Sequence, residues 1–249
     1  MMQRGDSEKQ AVLRNELIKK AGARKGSPYV TTIEDLLSPG MKVLDIGCGT
    51  GHILQQLAGC HHTMRFVGLD ISRSMLTVAK KSSAEMSDLL FVEADGLRLP
   101  VQDRTLDVVM TRLAEYSYEE AYRVLKKRGH FVEYGLGPDA DREIAEFFPE
   151  RIDRESFFLP RNPSRWEEEV CEKCRNSGFV EVAMRVFREK DYYRAEDEVM
   201  DLIEMVPLVT DFDRGKDREI VARMAERYGG EKGISITWHY YILRARRNE

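Results

Sequence analysis

The sequence predicts an α/β fold in which helices cover both faces of a mostly parallel sheet. Three observations support this prediction. Between residues 41 and 136, short apolar runs alternate with amphipathic segments, which is the pattern of successive strand–helix–strand units. The apolar runs are nearly continuous, as in strands that are buried on both faces. The first run leads into a loop with a glycine at every second position, which favours a ligand-binding turn between a strand and a helix.

The N-terminal segment predicts helices ahead of the sheet. Residues 8–21 carry apolar side chains at helical spacing, and Gly22 ends this helix. Residues 22–32 are rich in Gly, Pro and Ser and are assigned to a connector. A short helix over residues 33–37 follows. Together these residues form a predicted helical cap, with Tyr29 as its expected contact to a ligand.

The other segments are assigned from the periodicity of their apolar residues and from the turn residues that bound them. The predicted strands of the middle region are 41–47, 65–71, 89–95, 105–112 and 130–136. The predicted helices of that region are 51–59, 72–86 and 118–129. The C-terminal part predicts a helix over 163–177, a strand over 179–193, two helical stretches within 195–228 and a strand over 233–247. Strict alternation along the last strand places five residues on one face, namely Ile234, Ile236, Trp238, Tyr240 and Ile242.

The composition limits the classes of function. Hydrophobic residues make up 42% and charged residues 33%, as in a globular protein. The net charge of −4 disfavours a protein that binds extended nucleic acid, since such binding needs positive charge to neutralise phosphates. Four cysteines are too few for a disulfide scaffold, and the first ten residues lack a signal-type apolar stretch. No apolar run approaches the ~20 residues that span a bilayer. We therefore expect a cytoplasmic protein without a membrane span.

The glycine loop, VLDIGCGTG over residues 43–51, is the strongest local signal. A dinucleotide-binding loop, G-x-G-x-x-G, would have a third glycine where this sequence has His52. A phosphate-binding Walker loop would continue with a lysine, which is absent. Asp45, immediately before the glycines, would repel a phosphate and suits a cationic ligand. The loop therefore predicts a ligand with positive charge at the end of the first strand.

Acidic residues also follow the next two strands. Asp70 ends the second strand, nineteen residues after Gly51, where a carboxylate can accept hydrogen bonds from both hydroxyls of a ribose. Asp95 follows the third strand, and Leu97 and Leu99 after it can form an apolar wall for a flat ring. The set predicts a pocket for a nucleoside with a positively charged tail.

These motifs resemble those of the class I S-adenosylmethionine-dependent methyltransferases. VLDIGCGTG, GLDIS, EADGLRLP, LDVVMTR and RVLKKRGHFV follow one another in the family's order over residues 41 to about 136. The sequence is most similar to the ubiquinone- and biotin-biosynthesis-like (type 11) group, whose members mostly methylate small molecules and include RNA and protein modifiers. The resemblance implies S-adenosylmethionine as cofactor. It also implies a Rossmann-like, seven-stranded, mostly parallel sheet with an antiparallel last strand, helices on both faces and an extra helical cap and insert.

The resemblance further implies roles for single residues. Asp45 and the glycine loop would hold the methionine part of the cofactor. Asp70 would bind the ribose hydroxyls, and Ile71 would cover one face of the adenine. Asp95 would accept from the adenine amino group, with Gly96 donating from its backbone. The complete set of cofactor-binding candidates is Asp45, Gly47, Cys48, Gly49, Gly51, Asp70, Ile71, Asp95, Gly96 and Thr111.

Methyl transfer from a sulfonium is a displacement that mainly requires alignment and exclusion of water. A base is needed only for a weakly acidic nucleophile. Many relatives have a histidine pair in a longer loop after the fourth strand, whereas residues 110–118 form a short loop without histidine, so the substrate class stays unassigned. The catalytic candidates, each of which also fits a packing or solvated role, are Arg112, Glu115, Tyr116 and Tyr134.

Other features fit structural roles better than catalytic ones. The end of the fourth strand has no carboxylate cluster for magnesium, and Cys171 and Cys174 form a single pair within a predicted helix, so we expect no metal. The sequence contains neither a Pro-Cys nor a Pro-Pro pair, the two motifs that would support methylation of nucleic-acid bases. A basic run ends the helix predicted over 118–129 and fits a solvated face better than an RNA track. Its members are Arg123, Lys126, Lys127 and Arg128.

We therefore expect an S-adenosylmethionine-dependent methyltransferase that acts without metal on a small-molecule acceptor. The alternatives are an RNA- or tRNA-modifying methyltransferase and a catalytically inactive, cofactor-binding regulatory protein. The apolar segments 136–162 and 195–231 fit either a lid over the substrate or completion of the core.

The 249 residues correspond to one or two domains at roughly 150 residues each, and strands on both sides of the helical insert favour one. The expected parts of this domain are a helical cap (1–40), the cofactor-binding core (41–136), the second half of the sheet with connecting helices (137–194), a helical insert (195–233) and the final strand with the tail (234–249).

Overall fold

The computed structural model of the protein describes residues 27–153, 162–205 and 208–249. The helix predicted over residues 8–21 lies outside them. The first elements are α1 (Pro28–Glu34), β1 (Lys42–Ile46), α2 (His52–Cys60), β2 (Arg65–Asp70), α3 (Arg73–Ser82), β3 (Leu89–Glu93), β4 (Leu106–Arg112), α4 (Tyr118–Val124) and β5 (Leu125–Leu136). The later elements are α5 (Arg142–Phe147), a 3₁₀ turn (Pro149–Arg151), α6 (Trp166–Asn176), β6 (Phe179–Tyr193), α7 (Glu196–Met205), α8 (Arg218–Tyr228), β7 (Gly229–Gly230) and β8 (Gly233–Arg247).

The strands form one sheet in the order β3-β2-β1-β4-β5-β8-β6, with the two-residue β7 paired to β8. Strands β1 to β5 pair in parallel, and the C-terminal strands run antiparallel. The predicted fold class is confirmed, and the short β7 is the strand that the sequence pattern missed. The chain order reverses between β1 and β4, and open α/β sheets bind ligands at such a point, beyond the carboxyl ends of the strands.

The described residues fall into two compact units. The first contains residues 27–134, 167–184 and 242–249, and the second contains residues 135–153, 162–166, 185–205 and 208–241. The division of the chain into a cap, a core and an insert stays a prediction.

In the first unit, successive residues of the central strands are buried. Val43 and Leu44 of β1 and Val108 and Val109 of β4 have no solvent exposure. Because neighbouring residues of a strand point to opposite faces, both faces of the sheet are covered. This confirms the interpretation of the continuous apolar runs. Within the described residues, no helix is long and apolar enough to cross a membrane.

Three predicted boundaries were wrong, and the first is the end of the helix predicted over 72–86, since α3 ends at Ser82. Residues 28–32, assigned to a connector, belong to α1, because a proline in the first turn starts a helix without losing a hydrogen bond. Helix α4 ends at Val124, and Leu125 begins β5 by pairing with Leu106. Of the basic run, Arg123 lies in the last turn of α4, and the other three members lie in β5. Lys126 contacts the Asp107 carboxylate on β4 through Nζ at 2.7 Å, an interaction that the sequence pattern does not reveal.

The second unit contains a buried polar cluster between α5, β6 and β8. The Glu143 carboxylate accepts hydrogen bonds from Lys190 Nζ at 2.6 Å and from the backbone and hydroxyl of Thr237 at 2.8 and 2.6 Å. Burial alone would raise the pKa of Glu143, but these bonds outweigh it and lower the pKa to about 2. Glu143 is therefore a stably ionised anchor.

Asp141, beside this cluster, is a buried carboxyl group without a partner. It is 1% exposed, and neither carboxylate oxygen has a hydrogen-bond partner among the described residues. Burial, followed by the charges of Glu143 and Asp191, raises its pKa from 3.8 to about 7. Between about pH 4 and pH 7 the unfolded chain is ionised at this group while the folded protein keeps its proton. Stability therefore falls as the pH rises through this range.

We expect Asp141→Asn to raise the free energy of unfolding at pH 8 by up to about 4 kcal/mol, and by much less at pH 5. Asparagine tolerates the left-handed backbone at this position, where φ is +52°. Urea unfolding at both pH values measures the effect. Asp211→Asn, at an exposed residue with φ +53°, is the matched control. An equal loss of stability with pH in wild type and Asp141→Asn would contradict the assignment.

Candidate functional site

The glycine loop joins β1 to α2 at the carboxyl edge of the sheet. Gly47 N and Cys48 N both donate to Leu69 O on β2, at 2.7 and 2.9 Å, so the loop bends across the end of the neighbouring strand. Gly47 and Gly49 have φ values of +74° and +55°. This backbone path is the physical reason for the glycine spacing in the sequence.

Gly47 also permits the chain after β4 to cross the loop. A Cβ on Gly47 would overlap the Cβ of Ala114. We expect Gly47→Ala to lower the free energy of unfolding by roughly 2–4 kcal/mol, the sum of overpacking and left-handed strain. Urea unfolding checks this value. Gly40→Ala is the control, since Gly40 has φ +83° and open space around it, and a similar loss in both variants would show that no clash occurs.

Asp70 ties the glycine loop to the end of β2. One carboxylate oxygen accepts from Gly49 N at 2.8 Å, and the other accepts from Ser72 N at 2.8 Å. Ser72 in turn caps α3 by accepting from Met75 N. A carboxylate offers about four acceptor positions in all, so a side chain of this type can hold a loop and also accept from a ligand.

Asp45 is a buried acid that faces this loop without a partner. It is 5% exposed, and its carboxylate makes no hydrogen bond or ion pair with any residue that the structure describes. Burial, followed by the negative charge of Asp70, raises its pKa from 3.8 to about 8, and Arg112 offsets only part of this rise. A bound cation would favour the ionised form, so the group is suited to a positively charged ligand.

Arg112, Tyr134 and Tyr29 form a corner beside Asp45. The Arg112 guanidinium lies 5.1 Å from the centroid of the Tyr134 ring, and the Tyr29 and Tyr134 rings are 5.6 Å apart, edge to face. Tyr29 donates from its hydroxyl to Thr111 O at 3.0 Å, which attaches α1 to the end of β4. Burial, with Arg112 adding to it, lowers the pKa of His52 to about 4, so His52 is neutral at pH 7.

His52 was not predicted as a member of this corner, since its sequence position was interpreted only as a departure from a dinucleotide-binding motif. Its position directly after Gly51 was the available signal. Tyr29, expected as a ligand contact, is buried and holds Thr111 through the bond described above.

Two exposed apolar side chains lie at the other end of the site. Ile71 after β2 is 41% exposed, and Leu97 after β3 is 42% exposed. Leu99, expected beside Leu97, is buried instead. Asp95 Oδ1 accepts from Leu97 N at 2.9 Å, and Ala94 N donates to Asp70 O at 3.0 Å. Exposed apolar side chains near two carboxylates are suited to contact a flat heterocycle joined to a sugar.

The remaining candidates are distributed around this edge. Thr111 is buried and donates from its hydroxyl to Ile46 O at 3.1 Å. Gly96 packs against Glu115 O so closely that a Cβ would overlap it. Tyr116 packs with the rings of Tyr118 and Phe131, at 5.0 and 5.6 Å. The structure thus groups Tyr116 with an aromatic cluster of α4 and β5, whereas Arg112 and Tyr134 lie together.

The sheet order and the acidic glycine loop define a class of α/β protein that binds a nucleoside-like ligand at the carboxyl edge of its sheet. Residues 37–198 match the profile of the family described as "Methyltransferase domain". The chain belongs to this family.

Individual proteins to which the chain is similar are also named as methyltransferases. The chain is 35% identical over 111 residues to malonyl-[acyl-carrier protein] O-methyltransferase of Marinomonas sp. (strain MWYL1), covering 42% of this chain and 41% of that protein. It is 32% identical over 135 residues to demethylmenaquinone methyltransferase of Staphylococcus aureus (strain MRSA252), covering 50% and 49%. The chain thus spans less than half the length of these relatives. A crystal structure of a putative methyltransferase from Bacillus halodurans C-125 has the same fold, with a TM-score of 0.63, 17% identity, and coverage of 90% of this chain and 100% of that one.

Proposed function

We propose that the protein transfers a methyl group from S-adenosylmethionine to a small-molecule acceptor without using a metal. The observation that carries this proposal is the buried, partnerless Asp45 carboxylate next to a glycine loop. A Cβ at Gly49 would meet nothing within 4 Å, so the loop leaves open space for a ligand. A cationic ligand in this space would favour the ionised form of Asp45 and pair with it.

The residues of the site fit each part of this cofactor. Asp45 and the glycine loop, including Cys48 and Gly51, would hold the methionine part. Asp70 would accept from the ribose hydroxyls, and Ile71 and Leu97 would flank the adenine. Asp95 would accept from the adenine amino group, with a backbone donor from Gly96. Thr111 would contribute without touching the cofactor, because its hydroxyl bond to Ile46 O joins β4 to β1.

Bound S-adenosylmethionine supplies a methyl carbon that its sulfonium already activates. The protein therefore has to orient two ligands and keep water away. Tyr29 and Tyr134 provide buried aromatic walls at the end of β4, and Asp70 fixes the glycine loop that bounds the other side. Tyr116 and Glu115 stay candidates for contact with the acceptor.

Calorimetry with S-adenosylhomocysteine tests the cofactor assignment. We expect binding to the wild type, and the absence of binding would overturn the proposal. Gly49→Ala should weaken binding at least tenfold, because its Cβ would enter the ligand space, while it unfolds at nearly the same urea concentration as Gly40→Ala. Equal affinity of wild type and Gly49→Ala would contradict the placement of the ligand.

Labelled methyl transfer to a cell extract tests the acceptor class. The net charge of −4 and a relative named for demethylmenaquinone support a small molecule, and the low cysteine content supports a cytoplasmic location. We expect label from methyl-labelled S-adenosylmethionine in the fraction of low molecular mass. Label that ribonuclease releases from a large fraction would favour the RNA-modifying alternative. Binding of S-adenosylhomocysteine without any labelled product would favour the inactive regulatory protein.

A further inference from the structure

Arg112 is a half-buried cation that forms no ion pair with an acidic residue in the part of the chain that the structure describes. Its guanidinium also makes no hydrogen bond with any described residue, and its contact is the face of the Tyr134 ring. Arg123 on α4 shows the usual arrangement, since its guanidinium bonds the carboxylates of Glu120 and Asp103. A guanidinium carries five N–H donors, so all five donors of Arg112 are available to a ligand.

The strand register places this cation on the same face of the sheet as Asp45. Asp45 pairs with Met110 of β4, and side chains two residues apart on a strand point the same way, so Arg112 follows Asp45 on one face. Arg112 also pairs directly with Tyr134 of β5. Arg112 is therefore the last residue of β4, and the Tyr134 ring beneath it also contacts Tyr29 of α1.

Asp45 and Arg112 do not neutralise each other. They form no ion pair, and the pKa of Asp45 stays near 8 despite the nearby positive charge. An acid that a ligand cation would ionise and a guanidinium, placed on the ends of adjacent strands, fit a ligand region that carries one positive and one negative group.

The anion that fits Arg112 is a carboxylate. A planar guanidinium binds a carboxylate through two parallel hydrogen bonds, and no described residue uses the N–H groups of Arg112, which lies over the Tyr134 ring. A phosphate dianion would bring a second negative charge toward Asp45 and Asp70, and Arg112 alone cannot balance it. A monoanion with planar geometry matches both the charge and the shape of the site.

We propose that Arg112 binds a ligand carboxylate at the carboxyl end of β4. This rests on the proposed function, which provides two sources of such a group. One is the carboxylate of the cofactor's amino-acid tail, and the other is a carboxylate of the acceptor. Arg112 would then be a residue that selects acidic or zwitterionic ligands, in addition to its contact with Tyr134.

Calorimetry with two probes distinguishes the sources. S-adenosylhomocysteine has the carboxylate, and 5′-methylthioadenosine lacks the whole amino-acid tail. If the cofactor supplies the group, Arg112→Gln weakens S-adenosylhomocysteine binding about 10- to 100-fold, the effect of losing one bidentate pair, and leaves 5′-methylthioadenosine unchanged. Arg112→Lys, which keeps the charge without the fork, recovers part of the affinity. Arg65→Gln, at the exposed start of β2, is the control for a surface arginine.

Titration with malonate tests the acceptor as the source. If the acceptor supplies the group, S-adenosylhomocysteine binds Arg112→Gln normally, and malonate raises the unfolding temperature of the wild type but not of the variant. Unchanged affinity for S-adenosylhomocysteine together with an equal malonate response in both proteins overturns the proposal. Equal weakening of both adenosine probes also overturns it, since that outcome indicates general damage to the pocket. If the wild type binds neither adenosine probe, the proposed function fails, and the malonate titration of the ligand-free protein still tests Arg112.

Discussion

Replacing Asp70 by alanine is expected to weaken S-adenosylhomocysteine binding at least about 100-fold. Two charge-assisted bonds to the ribose hydroxyls contribute about 1.5–3 kcal/mol each, and both would be lost. Asp70→Ala also removes the acceptors of Gly49 N and Ser72 N, so the glycine loop loses its attachment to β2. The binding loss therefore includes a part that comes from the loosened loop.

Calorimetry with the wild type and three variants, together with urea unfolding, separates the loss of ribose contacts from the loosening of the loop. Asp88→Ala, at an exposed residue ahead of β3, serves as the control and should bind like the wild type. Asp70→Asn keeps one acceptor oxygen and should fall between wild type and Asp70→Ala. Urea unfolding of the ligand-free proteins reports the cost of the loop attachments alone. Wild-type affinity in Asp70→Ala would refute the ribose assignment.

The sequence pattern was most reliable where an element is long and bounded by turn residues. Strands 179–193 and 233–247 were predicted with the bounds that β6 and β8 have, because apolar residues alternate along them and a glycine marks the start of each, Gly178 before β6 and Gly233 as the first residue of β8. The pattern failed at α4, where Leu125 continues the apolar spacing of the helix. Only its pairing with Leu106 on another strand shows that β5 has begun. Local periodicity cannot report a contact of that kind.

The candidate site, like the fold, could be predicted from the sequence only in part. The position of Asp70 followed from its spacing to the glycine loop, and the structure places it against Gly49. The isolation of Asp45 could not be predicted, because it depends on what every other part of the unit leaves unpaired. Tyr29 bonds Thr111 across 82 residues of chain, and Glu143 bonds Thr237 across 94. Neither pair has a sequence signature, since side chains that meet only after folding share no local pattern.

Asp45→Asn is expected to stabilise the ligand-free protein while it weakens binding. The pKa of Asp45 is raised from 3.8 to about 8, so from about pH 4 to pH 8 the unfolded chain is ionised at this group and the folded protein holds the proton. The wild type therefore loses stability as the pH rises through this window. Asparagine removes this loss, and we expect its free energy of unfolding at pH 9 to exceed that of the wild type by up to about 5 kcal/mol.

Binding should respond to Asp45→Asn in the opposite direction. A ligand ammonium requires the ionised carboxylate, so S-adenosylhomocysteine binding to the wild type should release a proton at pH 7. Its affinity should increase by up to about tenfold for each unit by which the pH rises toward 8. Calorimetry in buffers of different ionisation enthalpy measures this proton. Asp45→Asn should bind at least tenfold more weakly at pH 8, with no proton release.

Asp141→Asn provides the matched comparison, because it also removes a buried, raised-pKa carboxyl group but lies in the second unit. We expect it to gain stability and to keep wild-type binding and proton release. Equal proton release in Asp45→Asn and the wild type would show that another group titrates, and the cation site would then not be Asp45. If instead the two variants gain stability alike and only Asp45→Asn loses affinity, the unfavourable burial of Asp45 in the ligand-free protein is what the bound cation relieves.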